Sequence, residues 1–391
     1  MSRNGAAGSN ARVLVTEGEH RGALAACRAL SLAGYEVAAA AGRRPAAAQW
    51  SRACSSRLRI PDPGESSERF VAGLESLVRR GGFDVLLPGG ERSLLPISEH
   101  RGLLGSHIAL GLPAHDAVLR SLDKVALLDA AASAGLRSPV SRVCDSSGEL
   151  RRAVHELGFP VLVKPRRSVI ASNGSLRQQP VSLVTCRSEL EAMLVGPSTP
   201  SLVQRYEENA RRLSCGGVMT DDGLVGFVVA QFIRTWPPHA GAVCFGETVT
   251  APARVHERAE QLLDILGWRG IFELELLDLG GGRHASIDLN PRVFGWLGLA
   301  VAAGADLPRI WLESLSGADP VRVEPRVGVR YRWEDADLAH FLWQLRRRRL
   351  GAAVHVVRPR RHVVHAHFRL ADPAPLAARL VGLARRRQRV A

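Results

Sequence analysis

Apolar and polar positions follow two rhythms along the first hundred residues. Arg12 to Thr16 is a β-branched run, a helical spacing continues through Leu32, Gly34 stops it, and a second strand pattern spans Glu36 to Ala40. The unit then recurs as a strand at Leu58 to Ile60, a helix near Ser67 to Arg80 and a strand at Asp84 to Leu87. Strands alternating with helices in this way predict a small parallel α/β domain over residues 12–115. Its first turn, Glu17-Gly18-Glu19-His20, lacks the G-x-G-x-x-G spacing, so no dinucleotide site is expected.

Beyond residue 116 the pattern changes. Helical spacing occupies 116–134 and 147–157, and short strands then alternate with glycine- and proline-rich loops. Phe159 to Val163 reads as a buried strand that ends on Lys164. Two loops are long: Pro165 to Pro180, with Ser168, Ser172, Asn173 and Gly174, and Arg234 to Gly241, built around Trp236-Pro237-Pro238. Loops of this length inside a compact region are commonly lids or substrate loops. Residues 319–391 are expected to add one helical segment, a strand near Val354 to Val357 and a basic tail. Residues 1–11 are small and polar and are expected to be disordered, without the apolar core of a secretory signal.

The sharpest pattern lies at 271–292, where two alternating segments flank Gly280-Gly281-Gly282. This is a hairpin signal. With a two-residue turn at Gly281-Gly282, Glu275 falls opposite Asp288 and Glu273 opposite Asn290. Glu273, Glu275, Asp288, Asn290 and Arg292 then share one face, and Phe272, Leu274, Leu276, Ile287 and Leu289 the other. Facing carboxylates repel, and either solvent exposure or a divalent cation would relieve them. Mg²⁺ takes hard oxygen ligands, usually one or two carboxylates completed by phosphate and water.

Composition narrows the options. The 391 residues carry a net charge of +14, and of the 52 basic residues only Lys124 and Lys164 are lysines. A lysine ammonium is a compact charge that meets a phosphate oxygen end-on, where the guanidinium fork is wider. Six scattered cysteines without a C-x-x-C pair argue against zinc and against a disulfide framework. No stretch approaches the ~20 apolar residues of a membrane span, and a cytoplasmic location is expected. Most of the positive excess lies beyond residue 320, in Arg346 to Arg349, Arg358, Arg360, Arg361 and the arginines between 385 and 389. No aromatics alternate with them, so specific nucleic-acid binding is not expected, while contact with anionic surfaces stays open. His355, His362, His365 and His367 read as surface groups rather than metal ligands.

In order along the chain come Asp123-Lys124 with Gly135 and Pro139, Gly158-Phe159-Pro160-Val161-Leu162-Val163-Lys164-Pro165, Leu202-Val203-Gln204-Arg205-Tyr206, Gly267-Trp268-Arg269-Gly270, Glu273-Leu274-Glu275 and Asp288-Leu289-Asn290-Pro291-Arg292. Together they resemble the carboxylate–amine ligase branch of the ATP-grasp superfamily and are similar to the large chain of carbamoyl-phosphate synthetase, over about residues 12–315. The resemblance implies a mixed α/β and α+β chain: a small Rossmann-like domain, then an ATP-grasp domain over 116–318 with a hinge near 202–208. It implies ATP and Mg²⁺ (or Mn²⁺), with Lys124 and Lys164 on the phosphates, and Gln204, Arg205, Tyr206 and Glu207 beside adenine. Glu208 would meet the ribose. Glu275, Asp288 and Asn290 would ligate the metal, and Arg292 and Arg234 would act on the transferring phosphoryl group. The Pro165 to Pro180 segment would be a lid.

Two positions depart from the usual pattern. Asp288 stands where Glu is common, and Arg205 where the hinge is usually acidic. The implied reaction joins a small carboxylic acid to an amine through an acyl phosphate, releasing ADP and phosphate. Alternatives are bicarbonate activation of the carbamoyl-phosphate-synthetase or biotin-carboxylase type, or ATP binding without turnover in a regulatory protein. Trp236, His239, Phe294 and Trp296 are candidates for a substrate pocket or for packing, and homodimers are common among similar proteins.

Overall fold

The computed structural model describes residues 11–388 apart from 44, 173, 196–198, 320–322 and 359. The disorder expected for the amino terminus therefore falls, except at Ala11, outside the described residues, as does Asn173.

The amino-terminal repeat closes into a four-stranded parallel sheet in the order Ser56–Arg59, Glu36–Ala41, Arg12–Val15, Val85–Leu87. The small side chains of Ala38 to Ala41 let helices lie close on both faces. On one face pack Phe70, Val71 and Leu74 of the helix Ser67–Gly81. That helix is capped by the Ser66 hydroxyl, which accepts from Arg69 N at 3.2 Å, and it ends at Gly82 in a left-handed conformation. On the other face the helix Arg21–Leu32 buries Ala23, Leu24, Cys27 and Leu30 in a core that continues into Phe294, Trp296, Leu297 and Ala300. The first sheet thus rests directly on the segment that follows the acidic hairpin.

Two antiparallel sheets follow. A four-stranded one runs Ser141–Cys144, Ser201–Arg205, Val161–Pro165, Ser182–Val184. A seven-stranded one runs His284–Asn290, Gly270–Asp278, Arg211–Thr220, Gly223–Trp236, Ala242–Val249, Arg330–Arg332, Val363–His365, with only the last pair parallel. The strand Ser201–Arg205 lies in the smaller sheet, and the chain enters the larger one six residues later, so residues 206–210 are the direct link between them.

Three local expectations change. The Pro165 to Pro180 segment is not an unstructured loop but carries a hairpin, Val169–Ser172 against Ser175–Gln178. Residues 354–357 belong to a helix, Leu350–Val357, which packs on the helix Glu334–Arg346 and buries Ala353 and Val356. Tertiary contact there overrides the β-branched local preference. The acidic hairpin turns over three glycines, all with positive φ, and Leu279 N bonds Arg283 O at 2.9 Å. A one-residue slip relative to the two-residue turn follows near the turn, where Leu277 pairs with Ala285. A bulge at Ile287 restores the expected register, so Glu275 stands opposite Asp288 and Glu273 opposite Asn290. Ile287 consequently leaves the predicted apolar face and clusters with Leu277 and Ala285.

Candidate active site

The two lysines reach the same strand from different elements. Asp123 caps the helix Lys124–Ser133 by accepting from Val125 N at 2.9 Å, and its other carboxylate oxygen accepts from Arg166 Nε at 2.8 Å. Lys124 N in turn bonds Arg166 O at 3.0 Å. The helix start is therefore clamped to the end of the strand that carries Lys164. Lys124 Nζ lies 3.0 Å from Asp288 Oδ1 and donates to Ser168 Oγ at 3.0 Å. Lys164 Nζ donates to the carbonyl of Ile287 at 2.9 Å. That carbonyl is available because Ile287 is the bulged residue.

Solvent exposure does not explain the acidic face. Glu273 is 6% exposed; its carboxylate accepts from Ser214 Oγ at 3.0 Å and from Asn290 Nδ2 at 3.1 Å, and also from the Trp296 indole. Burial raises its pKa above the ordinary value, although Arg292 opposes the shift. The Glu275 carboxylate has no hydrogen-bond partner among the described residues. Burial first, then Glu273 and Asp288, push it up to about 8, against Arg212 and Lys164. Burial pushes the Lys164 ammonium down to about 8, with Asp288 and Glu275 opposing and Lys124 and Arg212 adding to the fall. For Asp288, burial is outweighed by Lys124 and Lys164, and its pKa lies below the ordinary value.

The remaining expected residues divide. Arg292 joins the cluster by donating from Nη2 to Asn290 Oδ1 at 2.9 Å, while its Nε is buried without a hydrogen-bond partner among the described residues. Gln204 is buried and donates to Ser141 Oγ at 3.1 Å. Arg205 is exposed, the Tyr206 hydroxyl lies 3.1 Å from His239 Nδ1, Glu207 is half-buried and Glu208 exposed. Arg234 is held elsewhere. It donates from Nε and Nη2 to the two oxygens of Asp337 at 2.8 and 2.9 Å and stacks 4.2 Å from the Phe245 ring. Phe294 and Trp296 are packing residues, 1% exposed, for which Gly216 makes room: a Cβ there would sit 2.6 Å from Phe294.

No family model matches the sequence. It is 29% identical over 165 residues to the carbamoyl phosphate synthase large chain of Kocuria rhizophila, covering 41% of this chain and 15% of that one. It is 25% identical over 187 residues to the same chain of Streptomyces coelicolor, covering 45% and 16%. The chain thus spans about a sixth of the length of these curated relatives. Three solved structures overlie most of it. N5-carboxyaminoimidazole synthetase from Staphylococcus aureus superposes with a TM-score of 0.61 at 12% identity, over 81% of this chain and 80% of that one. An L-amino acid ligase from Bacillus licheniformis gives 0.61 at 14%, over 82% and 78%. The biotin carboxylase–β,γ-ATP complex from Campylobacter jejuni gives 0.61 at 15%, over 82% and 75%. This is the ATP-grasp fold.

In ATP-grasp terms the four- and seven-stranded sheets are the two halves, and the lysine–carboxylate cluster lies where they meet. Its donor set fits a Mg²⁺-type cation. Two carboxylates face each other, one of them unpaired and pushed up to about 8 by burial and by the neighbouring carboxylates. Among the described residues no group of three or more His, Cys, Asp or Glu side chains forms a closed cage. Glu275 and Asp288 are the available carboxylates, since the Asn290 amide already bridges Glu273 and Arg292.

A second wall comes from residues that the motif reading did not select. In the amino-terminal sheet the strand order reverses between Arg12–Val15 and Val85–Leu87, the place where open α/β sheets bind ligands beyond the carboxyl ends of their strands. Glu17, at φ 48°, turns its carboxylate across this crevice: Oε2 accepts from Ser93 N and Oγ at 3.0 and 2.8 Å, while Oε1 lies 3.6 Å from Arg92 Nε and 3.8 Å from His20 Nε2. Gly90 leaves room for this carboxylate, since a Cβ there would sit 2.4 Å from Glu17 Oε2. Glu91, the next residue, is buried, and its raised pKa reflects that burial, moderated by Arg292 and Lys124. Arg292 and Lys124 thus act electrostatically on Glu91 as well as on the acidic hairpin. The absence of a dinucleotide fingerprint concealed this crevice; the strand–turn–helix pattern at Glu17 to His20 was the available signal.

Proposed function

We propose that this protein is an ATP-dependent, ADP-forming carboxylate–amine ligase that joins a small-molecule acid to an amine. The observation that carries the reading is the convergence of Lys124 and Lys164 on consecutive residues, Asp288 and Ile287, beside the unpaired Glu275.

A carboxylate is a poor acyl donor because its leaving group would be oxide. In the proposed reaction its oxygen attacks the γ-phosphorus of ATP, the bond from that phosphorus to the β-bridging oxygen breaks, and ADP leaves with the electron pair. The amine nitrogen then attacks the carbonyl carbon of the acyl phosphate, the carbon–oxygen bond to phosphate breaks, and the nitrogen releases its proton. Such chemistry depends on positioning and charge compensation rather than a protein nucleophile. Lys164 has two further ammonium hydrogens to offer phosphate oxygens and Lys124 one. Arg292, with a spare buried Nε–H, is assigned to the oxyanion that develops at phosphorus and then at carbon. Glu275 and Asp288 would hold Mg²⁺, which would supply charge compensation to the phosphates.

Gln204 to Glu207 are assigned to adenine and Glu208 to ribose. The crevice of Glu17, His20 and Arg92 is assigned to the organic substrates. Arg234, locked to Asp337, is assigned a positioning role.

The test is ADP release from Mg-ATP with pooled carboxylic and amino acids, with hydroxylamine present to trap acyl phosphate as hydroxamate. Pool-dependent ADP and hydroxamate, both lost in Lys164→Ala and Glu275→Ala, are expected. ATP binding without turnover in any pool would favour a nucleotide-sensing protein. The similarity to carbamoyl phosphate synthase and biotin carboxylase favours bicarbonate as a second choice of acid. Turnover that needs bicarbonate but no organic acid would select it.

A further inference from the structure

The helix Glu334–Arg346 is inside out. Its buried positions are Ala336, Asp337, His340 and Gln344. Asp337 pairs with Arg234 and Arg332, His340 donates to Thr235 O, and Gln344 donates to His340. The opposite face carries Leu338, Leu342 and Leu345 at 57%, 42% and 38% exposure, spaced i, i+4, i+7. The helix Leu350–Val357 repeats the spacing with Leu350, Val354 and Val357 at 65%, 65% and 56%. The two helices pack against each other. Six large aliphatic side chains in regular stripes on adjoining helices differ from the single exposed leucines of an ordinary surface.

Charge identifies what covers them. Residues 338–370 contain eight arginines, four consecutive from Arg346 to Arg349, and no aspartate or glutamate. A twofold contact with a second copy would set this patch against itself, arginine against arginine with no acid between them. The covering partner is therefore anionic. Half-buried Trp343 marks the boundary between the leucines and the basic run, with the Arg347 and Arg349 guanidiniums 5.4 and 5.7 Å from its ring. Aliphatic stripes bordered by arginine and a tryptophan are the arrangement of helices that lie in a lipid interface. No described helix is long and apolar enough to cross a membrane, so the contact is peripheral.

We propose that the helices Glu334–Arg346 and Leu350–Val357 dock the protein reversibly on an anionic lipid surface, with the aliphatic stripes at the acyl boundary and the arginines on the headgroups. The experiment is flotation of the full chain with phosphatidylcholine vesicles and with vesicles containing about one-third phosphatidylglycerol, at low and high salt. Wild type should float with the anionic vesicles alone, falling about tenfold or more at high salt. Leu342→Glu/Val354→Glu should lose about tenfold at low salt while keeping its Tm and ATP binding, since both side chains are at the surface. Three results would overturn the proposal: no flotation with anionic vesicles, equal flotation of the variant, or a wild-type dimer that the double substitution converts to monomer.

Discussion

Lys164 and Glu275 set the pH behaviour of the site. Glu275 holds its proton below about 8 when no cation is bound, so a cation must displace it. The affinity for Mn²⁺ should then fall about tenfold for each pH unit below 8, with about one proton released per ion at pH 7. Calorimetry in buffers of different ionisation heat checks this; binding without proton release would contradict it. Lys164 loses its charge above about 8, so ATP affinity should weaken as pH rises through that value. The sign for stability is opposite to that for cation binding. Because the folded pKa of Glu275 is raised, the stability contributed by its protonated form is lost as pH climbs from the ordinary carboxylate range to about 8. Glu275→Gln should therefore raise Tm over wild type most above pH 8, with the gap closing toward pH 5. Asp337 tests a different pair. Removing it leaves Arg234 and Arg332 without their carboxylate, so Asp337→Ala should cost about 3–5 kcal/mol, and Arg234→Met in the same chain should recover part of that in a denaturation series. The two lysines were legible because an arginine-rich sequence retains them. Glu17, Glu91 and Arg212 were not, because their roles arise from proximity across elements.

Among the elements, the acidic hairpin shows how far alternation can be read. The pairing of Glu275 with Asp288 follows from the strand pattern, yet the path to it involves two compensating departures, a three-glycine turn and the Ile287 bulge. Three consecutive glycines do not specify which of them turn. A bulge is set by what it satisfies, here Lys164, which lies 123 positions away in sequence. The valines of residues 354–357 misled for a related reason: helix–helix packing decides that segment. Behind the hairpin, Gly216 admits Phe294 and Trp296, and Trp296 in turn bonds Glu273. Gly216→Val would overpack this contact. It should cost about 1–3 kcal/mol in urea unfolding and weaken Mn²⁺ binding, because the acidic face loses its backing.

Across the whole molecule, the amino-terminal parallel sheet and the ATP-grasp fold were legible as an ordered series of motifs, each weak alone. The carboxy-terminal helices were not, since the polar face of Glu334–Arg346 is buried and its leucines point outward, the reverse of the usual helical pattern. The central claim is that an oxygen of an acid is transferred to the γ-phosphoryl group of ATP between the two antiparallel sheets. The most direct measurement uses the acid pool labelled with oxygen-18 in its carboxylates, with mass analysis of the phosphate released during turnover with amine. The ligase account predicts one labelled oxygen per phosphate, lost together with turnover in Lys164→Ala. Phosphate whose new oxygen comes only from water would show hydrolysis of ATP without acyl activation and would contradict it.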